Sequence, residues 1–159
     1  MGRVEIWGAA IKIALARPLT GAGFKATESQ AVVDRYAPGT EARAPHNVYL
    51  GVLAEHGFIG LLIWAAMLLS GWRNSRWIQH NAGGRPEWRW AGDFARMSQA
   101  SLVAYSVVGS FGNYAYWDYY LTIIGLLAAA RRIMQQPALP QPSPAASRAL
   151  LSPAAPAAQ

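Results

Sequence analysis

Residues 57–72 read GFIGLLIWAAMLLSGW, sixteen positions without a charged side chain. As a helix rising ~1.5 Å per residue they cover about 24 Å, a little less than a hydrocarbon core of ~30 Å. Leu50 and Leu53 extend the apolar character backwards. The stretch predicts a membrane-crossing helix. Met97–Trp117 add twenty-one uncharged residues, enough for a second crossing. A third run, Tyr119–Ala130, has twelve and stops at Arg131-Arg132; joined to Asn113–Trp117 across Asp118 it is also long enough to span. The expected fold is an all-α integral membrane bundle, with two to three transmembrane helices over residues 57–132.

Composition agrees with that expectation. Of 159 residues, 53% are hydrophobic and only 14% charged, where a soluble domain has about 25% charged. The deficit excludes a charged, disordered regulator and argues against an ordinary water-soluble domain. The absence of cysteine excludes a disulfide scaffold, a thiolate metal site and a cysteine nucleophile. The net charge of +6 comes mainly from arginines set beside tryptophans at the ends of apolar runs. That is where membrane proteins place interfacial anchors and inward-facing positive charge. No basic stripe or recognition motif accompanies it, so nucleic acid is not an expected partner.

Arg73, Arg76, Arg85, Arg89 and Arg96 outnumber Glu87 and Asp93 in residues 73–96. The positive-inside rule makes that stretch a cytoplasmic loop. Residues 1–56, a helix–loop–helix segment, and the turn near Trp117–Tyr120 then face the opposite compartment. Asp118 among its aromatic neighbours marks a hairpin at that far interface, or else an intramembrane carboxylate. Residues 133–159 form a Pro/Ala-rich tail, expected to be disordered and without chemistry.

Two polar residues fall on unexpected faces. VEIWGAAIKIALA, residues 4–16, reads as a helix closed by Arg17-Pro18. At ~100° per residue Glu5 and Lys12 share one face, while Arg3 lines up with Trp7, Ala10 and Ala14. An arginine there either meets an anion or is a snorkelling terminus. In APHNVYLGVLAEHGFIG, residues 44–60, Pro45 suits a first helical turn. His46 then lies in line with Tyr49, Leu50 and Leu53. So placed, it would be desolvated and close to the positive end of the helix dipole, and both effects favour the neutral imidazole that accepts a proton. The alternative is a hydrogen-bonded packing histidine. His46, Glu55 and His56 lack the spacing that puts two ligands on one helical face, so no metal site is expected.

Gly2-Arg3-x-x-Ile6-Trp7, Arg17-Pro18-Leu19-Thr20-Gly21-x-Gly23-Phe24, Pro45-His46-Asn47-x-Tyr49-Leu50 and Glu55-x-Gly57-x-x-Gly60-Leu61 follow one another in that order. Together they resemble the C-terminal part of the O-antigen ligase family. The stretch LVAYSVVGSFGNYAYWDYY, residues 102–120, is similar to the exosortase-associated O-glycosylation ligase branch. The resemblance implies a multi-pass, GT-C-type glycosyltransferase of the bacterial inner membrane, with its active face in the periplasm. Such an enzyme moves a glycan from an undecaprenyl-diphosphate carrier to an acceptor hydroxyl on lipid A core or protein, without a metal or other cofactor.

The positions matching the family's diphosphate-gripping arginine and its proposed base are Arg3 and His46. Asn47 is the expected partner of the imidazole or substrate, and Arg43 a second phosphate contact. Complete family members are several-fold longer, so the expectation is a ligase portion that is incomplete as a standalone chain, with enzyme status left open. Two alternatives remain: a Wzy-type polymerase, and a non-catalytic membrane protein that binds a periplasmic partner.

Overall fold

The computed structural model describes residues 2–136, and all the regular structure among them is helical. Five α-helices follow in order: α1 (Gly2–Ala16), α2 (Gln30–Tyr36), α3 (Val48–Ala82), α4 (Arg89–Gly109) and α5 (Asp118–Gln135), with a 3-10 turn at Pro86–Trp88. They form two layers. One contains α1, α2 and the start of α3; the other is a three-helix bundle of α3, α4 and α5.

The first layer is held by burial. Ile6, Ala9, Ala10, Ile13 and Ala14 recur at helical spacing and are buried, while Glu5 and Lys12 face outward together. Ile6 and Ala9 pack on Val33 of α2 and on Ala37; Ala10 and Ile13 pack on Ala54 of α3. Full burial of a side chain such as Ile6 or Ile13 is worth about 1.5–3 kcal/mol. Pro18 disfavours helical geometry at the residue before it, which closes α1.

α3 begins later than the sequence suggests. Asn47 is its N-cap, with Oδ1 accepting from the Leu50 N–H at 3.1 Å. Pro45 and His46 therefore precede the helix instead of forming its first turn. Proline at the first helical position and asparagine at the cap compete in the same three residues, and the side-chain bond to an otherwise unpaired N–H decides for the cap.

α3 breaks at Gly57, where φ is 68° and ψ −167°. Such a break frees backbone groups from the helical ladder, and buried free groups need partners. The loop after α1 supplies them. Ala22 N donates to the Ala54 carbonyl at 2.9 Å, Gly23 N to the Glu55 carbonyl at 3.0 Å, and Phe58 N donates to the Pro18 carbonyl at 2.7 Å. Gly21, with φ of 62°, lies so close to the Glu55–His56 peptide that a Cβ there would collide with it.

Beyond the break α3 continues to Ala82, and among the described residues it is the one helix long and apolar enough to cross a membrane. The stretch 73–96, expected as a loop, is instead mostly helix. α3 runs through Arg73–Ala82 and α4 starts at Arg89, leaving only Gly83–Trp88 as the connection. Arginine, glutamine and tryptophan end an apolar run without ending a helix. α4 is correspondingly displaced, covering Arg89–Gly109 in place of Met97–Trp117, and residues 110–117 form a loop before Asp118 opens α5.

Small residues set the bundle's spacing. Ala91, Ala95, Ser98 and Leu102 form one buried line on α4 against Gly71, Ser75, Ile78 and Ala82 of α3. A Cβ at Gly71 would stand 2.9 Å from Ile124 and 3.2 Å from Leu102. Ser75 Oγ donates to the Ala95 carbonyl at 2.8 Å, and Gln79 Nε2 to Gln99 Oε1 at 3.0 Å. Close approach plus interhelical hydrogen bonds is how helices associate in lipid. Outward, Leu62, Ile63, Leu69, Val103, Val107 and Leu126 are exposed. The expected tail begins inside α5, which continues to Gln135; residues 137–159 lie outside the described residues.

Candidate functional site

The first turns of α1 meet the strap 43–47 that leads into α3. The Trp7 indole N–H donates to the Pro45 carbonyl at 2.7 Å. The Arg43 guanidinium lies directly over Gly2, the residue before Arg3, where a Cβ would displace it. The strap is fixed from behind by Arg43 N, which donates to the Thr27 carbonyl at 2.9 Å, and by Ala42 N, which donates to Gln30 Oε1 at 2.8 Å. Arg43 and the residues flanking Arg3 and His46 are thereby brought to one end of α1.

Arg3 is exposed, although it continues the Trp7–Ala10–Ala14 line, because that line leaves the packed interior before the first turn. No ion pair engages it among the described residues. Arg43 does have a carboxylate, pairing with Glu41 through Nη2, so an anion at Arg43 would compete with that pair.

His46 departs from the expected burial. It is exposed, precedes the cap, and has φ of 47°. Left-handed geometry is uncommon for a residue with a Cβ and persists where its surroundings fix it. Here Pro45 is tied to Trp7 on one side and Asn47 caps α3 on the other. Asn47 Nδ2 also donates to the Ser110 carbonyl at 3.2 Å, and Tyr49 Oη to the Ser106 carbonyl at 2.8 Å, so the end of α4 is fastened to the same strap. Asn47 thus holds the backbone beside the imidazole. Just below, an apolar cavity of about 670 Å³ opens between α3 and α4, lined by residues including Tyr49, Trp64, Leu68, Trp72, Val107 and Phe111.

A second polar cluster lies at the break in α3. Glu55, nearly buried, accepts the Lys25 N–H at 2.9 Å through Oε1 and the Tyr116 hydroxyl through Oε2. His56 Nε2 is 2.8 Å from the same hydroxyl. With the hydroxyl's one proton directed at Glu55, its oxygen is left to accept, and the Nε2–H tautomer of His56 donates to it. Phe24 packs edge-on against His56 and Tyr116, with centroids at 4.8 and 5.4 Å. Partial desolvation of the phenol, whose side chain stays half exposed, followed by the hydrogen bond to Glu55 and that carboxylate's charge, pushes the Tyr116 hydroxyl above the ordinary phenol range. Apart from Glu55's place in a family motif, sequence reasoning weighed Glu55 and His56 together only as metal ligands. Tyr116, sixty positions away, carried no local signal. Among the described residues no three His, Asp or Glu side chains converge as a metal would require.

The architecture is that of an all-α membrane-type chain, with a capped strap leading into a long apolar helix that breaks at Gly57. Residues 1–65 match the Wzy_C family model, described as O-antigen ligase. Over this segment the chain resembles that family, as its ordered motifs suggest, and the match supports a relationship to membrane enzymes of the ligase and polymerase type. Arg3, Arg43, His46, Asn47, Glu55 and His56 fall inside the matched segment; Tyr116 falls outside it. No curated protein and no solved structure matches the chain.

Proposed function

We propose that this chain is the catalytic-face portion of a membrane glycosyltransferase of the O-antigen ligase type. It would move a glycan from an undecaprenyl-diphosphate carrier to an acceptor hydroxyl, on lipid A core or on protein, at the periplasmic side of the bacterial inner membrane. α4 and α5 join α3 as membrane spans in this reading. The observation that carries it is the coincidence of the matched segment with the junction of α1 and the strap, where Trp7 meets Pro45 and Arg43 overlies Gly2.

In the reaction the acceptor oxygen attacks the anomeric carbon, the bond from that carbon to the diphosphate oxygen breaks, and the electron pair leaves on the lipid diphosphate. His46 takes the acceptor's proton, a role worth ~10²–10⁴-fold in rate. Its exposure suits a group that must meet an incoming hydroxyl. Arg3, exposed and without an ion-pair partner among the described residues, holds the diphosphate through its planar fork and stabilises the charge that grows as the bond breaks. Arg43 is the second phosphate contact, exchanging Glu41 for substrate. Asn47 orients the imidazole through the backbone it caps. The cavity between α3 and α4 accepts the carrier's prenyl chain, for which its apolar walls suit.

The test is glycan transfer in cells by the intact protein carrying His46→Ala or Arg3→Ala. Transfer should fall by ~10²-fold or more in either variant, while membrane insertion stays normal. Unchanged transfer in both would favour a non-catalytic, partner-binding protein. The identity of the glycosylated product separates ligase from Wzy-type polymerase.

A further inference from the structure

At the opposite end of the bundle, a pocket of about 340 Å³ lies between α3 and α5, lined by Ala66, Leu69, Ser70, Arg73, Asn74 and Arg131. Arg131 is held in place. Its Nη1 donates to Asn74 Oδ1 at 2.9 Å, and its guanidinium carbon lies 4.9 Å from the centre of the Trp77 ring. Arg73 is exposed, and neither arginine has an ion-pair partner among the described residues. Arg131 is near the end of α5, where the helix dipole favours a cation. Arg73 has no such reason, since α3 continues nine residues past it. Both guanidinium groups line one pocket, so an anion held there would be attracted by two positive charges at once.

The rest of the surface identifies the anion's attachment. Leu62, Ala66, Leu69 and Arg73 follow at spacings of four, three and four, which places them on one face of α3. Leu62 and Leu69 are 69% and 62% exposed. The stripe is about 16 Å long at ~1.5 Å per residue, comparable with an acyl chain. It ends on the two arginines.

We propose that this pocket binds an anionic glycerophospholipid, its phosphodiester between Arg73 and Arg131 and its acyl chain along the Leu62–Leu69 stripe. Charge complementarity and the apolar stripe select a lipid over a soluble anion or a protein segment. The proposal rests on the membrane-spanning reading of the bundle, but not on glycosyl transfer.

The experiment is native mass spectrometry of the full chain released from nanodiscs containing phosphatidylglycerol and phosphatidylcholine. Reporter fusions at residues 40 and 85 come first; both in one compartment would refute the membrane reading separately. The intact chain should retain phosphatidylglycerol selectively. Arg73→Gln should weaken that retention roughly five-fold, the effect of one basic side chain near an anionic surface, and Arg73→Lys should restore most of it. Arg76→Gln, an exposed arginine outside the pocket, should leave retention unchanged. Equal loss in Arg73→Gln and Arg76→Gln would mean a diffuse positive surface and overturn the proposal. So would equal retention of both lipids, displacement by soluble glycerophosphate, or a protein segment found cross-linked into the pocket.

Discussion

The Trp7 indole N–H and the Pro45 carbonyl, 38 positions apart in sequence, are joined at 2.7 Å. That bond links the helix carrying Arg3 to the strap carrying His46, next to a backbone held at positive φ. Trp7→Phe keeps an aromatic ring but removes the donor. It should cost about 1 kcal/mol of stability and, under the proposed function, lower glycan transfer by more than that loss explains, because the strap loses its register. Thermal unfolding measured beside transfer rate separates the two effects.

Glu55 joins three segments, through Lys25 N, the Tyr116 hydroxyl and its own place in α3. Glu55→Ala leaves two donors without their acceptor and should destabilise by about 1–3 kcal/mol for each that stays buried. Tyr116→Phe should cost less, since it orphans the carboxylate on one side only. The double variant should be less damaging than the sum of the two, and a double-mutant cycle by chemical unfolding checks this.

Tyr116 also predicts an alkaline signature. Burial and the Glu55 contact raise its folded value above the ordinary 10.0, whereas in the unfolded chain it titrates near 10. The folded state holds the proton more tightly, so the stabilisation is complete below pH ~10 and is lost as pH rises above that. Tyrosinate absorbance should show one fewer late-titrating phenol in Tyr116→Phe than in the parent. The stability gap between the two should narrow above pH ~10.

Gly57 combines a φ of 68° with the Pro18 carbonyl where a Cβ would be. Gly57→Ala therefore adds backbone strain and a collision, and should destabilise by about 1–3 kcal/mol while exposing Pro18–Gly23 to protease. Gly8→Ala, at a helical position with open space around it, should be neutral or stabilising by up to ~1 kcal/mol. Limited proteolysis alongside thermal unfolding distinguishes the two sites.

What the sequence made legible was whatever depends on near neighbours. The apolar run 57–72, the outward pairing of Glu5 with Lys12, and the stop at Arg17-Pro18 all follow from spacing and local sterics. Competition between local signals was harder to read. Pro45 was read as the helix start without weighing Asn47 as a cap, and that put His46 on a buried face. The extent of α3 past Arg73 was hidden because charge marks the edge of an apolar run, not the end of a hydrogen-bond ladder. The break at Gly57 and the Glu55–Tyr116–His56 cluster were illegible for another reason. One depends on the backbone of Pro18–Gly23 and the other on a side chain sixty positions away, and neither partner is signalled near the glycine or the carboxylate.

The three backbone bonds that patch α3 at its break also restrict how homologous chains can diverge. Surface loops usually absorb insertions, but adding a residue within Pro18–Gly23 would slide every one of those donors and acceptors out of step. The turn at Pro38–Gly39 is exposed, with open space around the glycine. Length variation accumulated over evolutionary time should therefore concentrate at that turn and spare the patch.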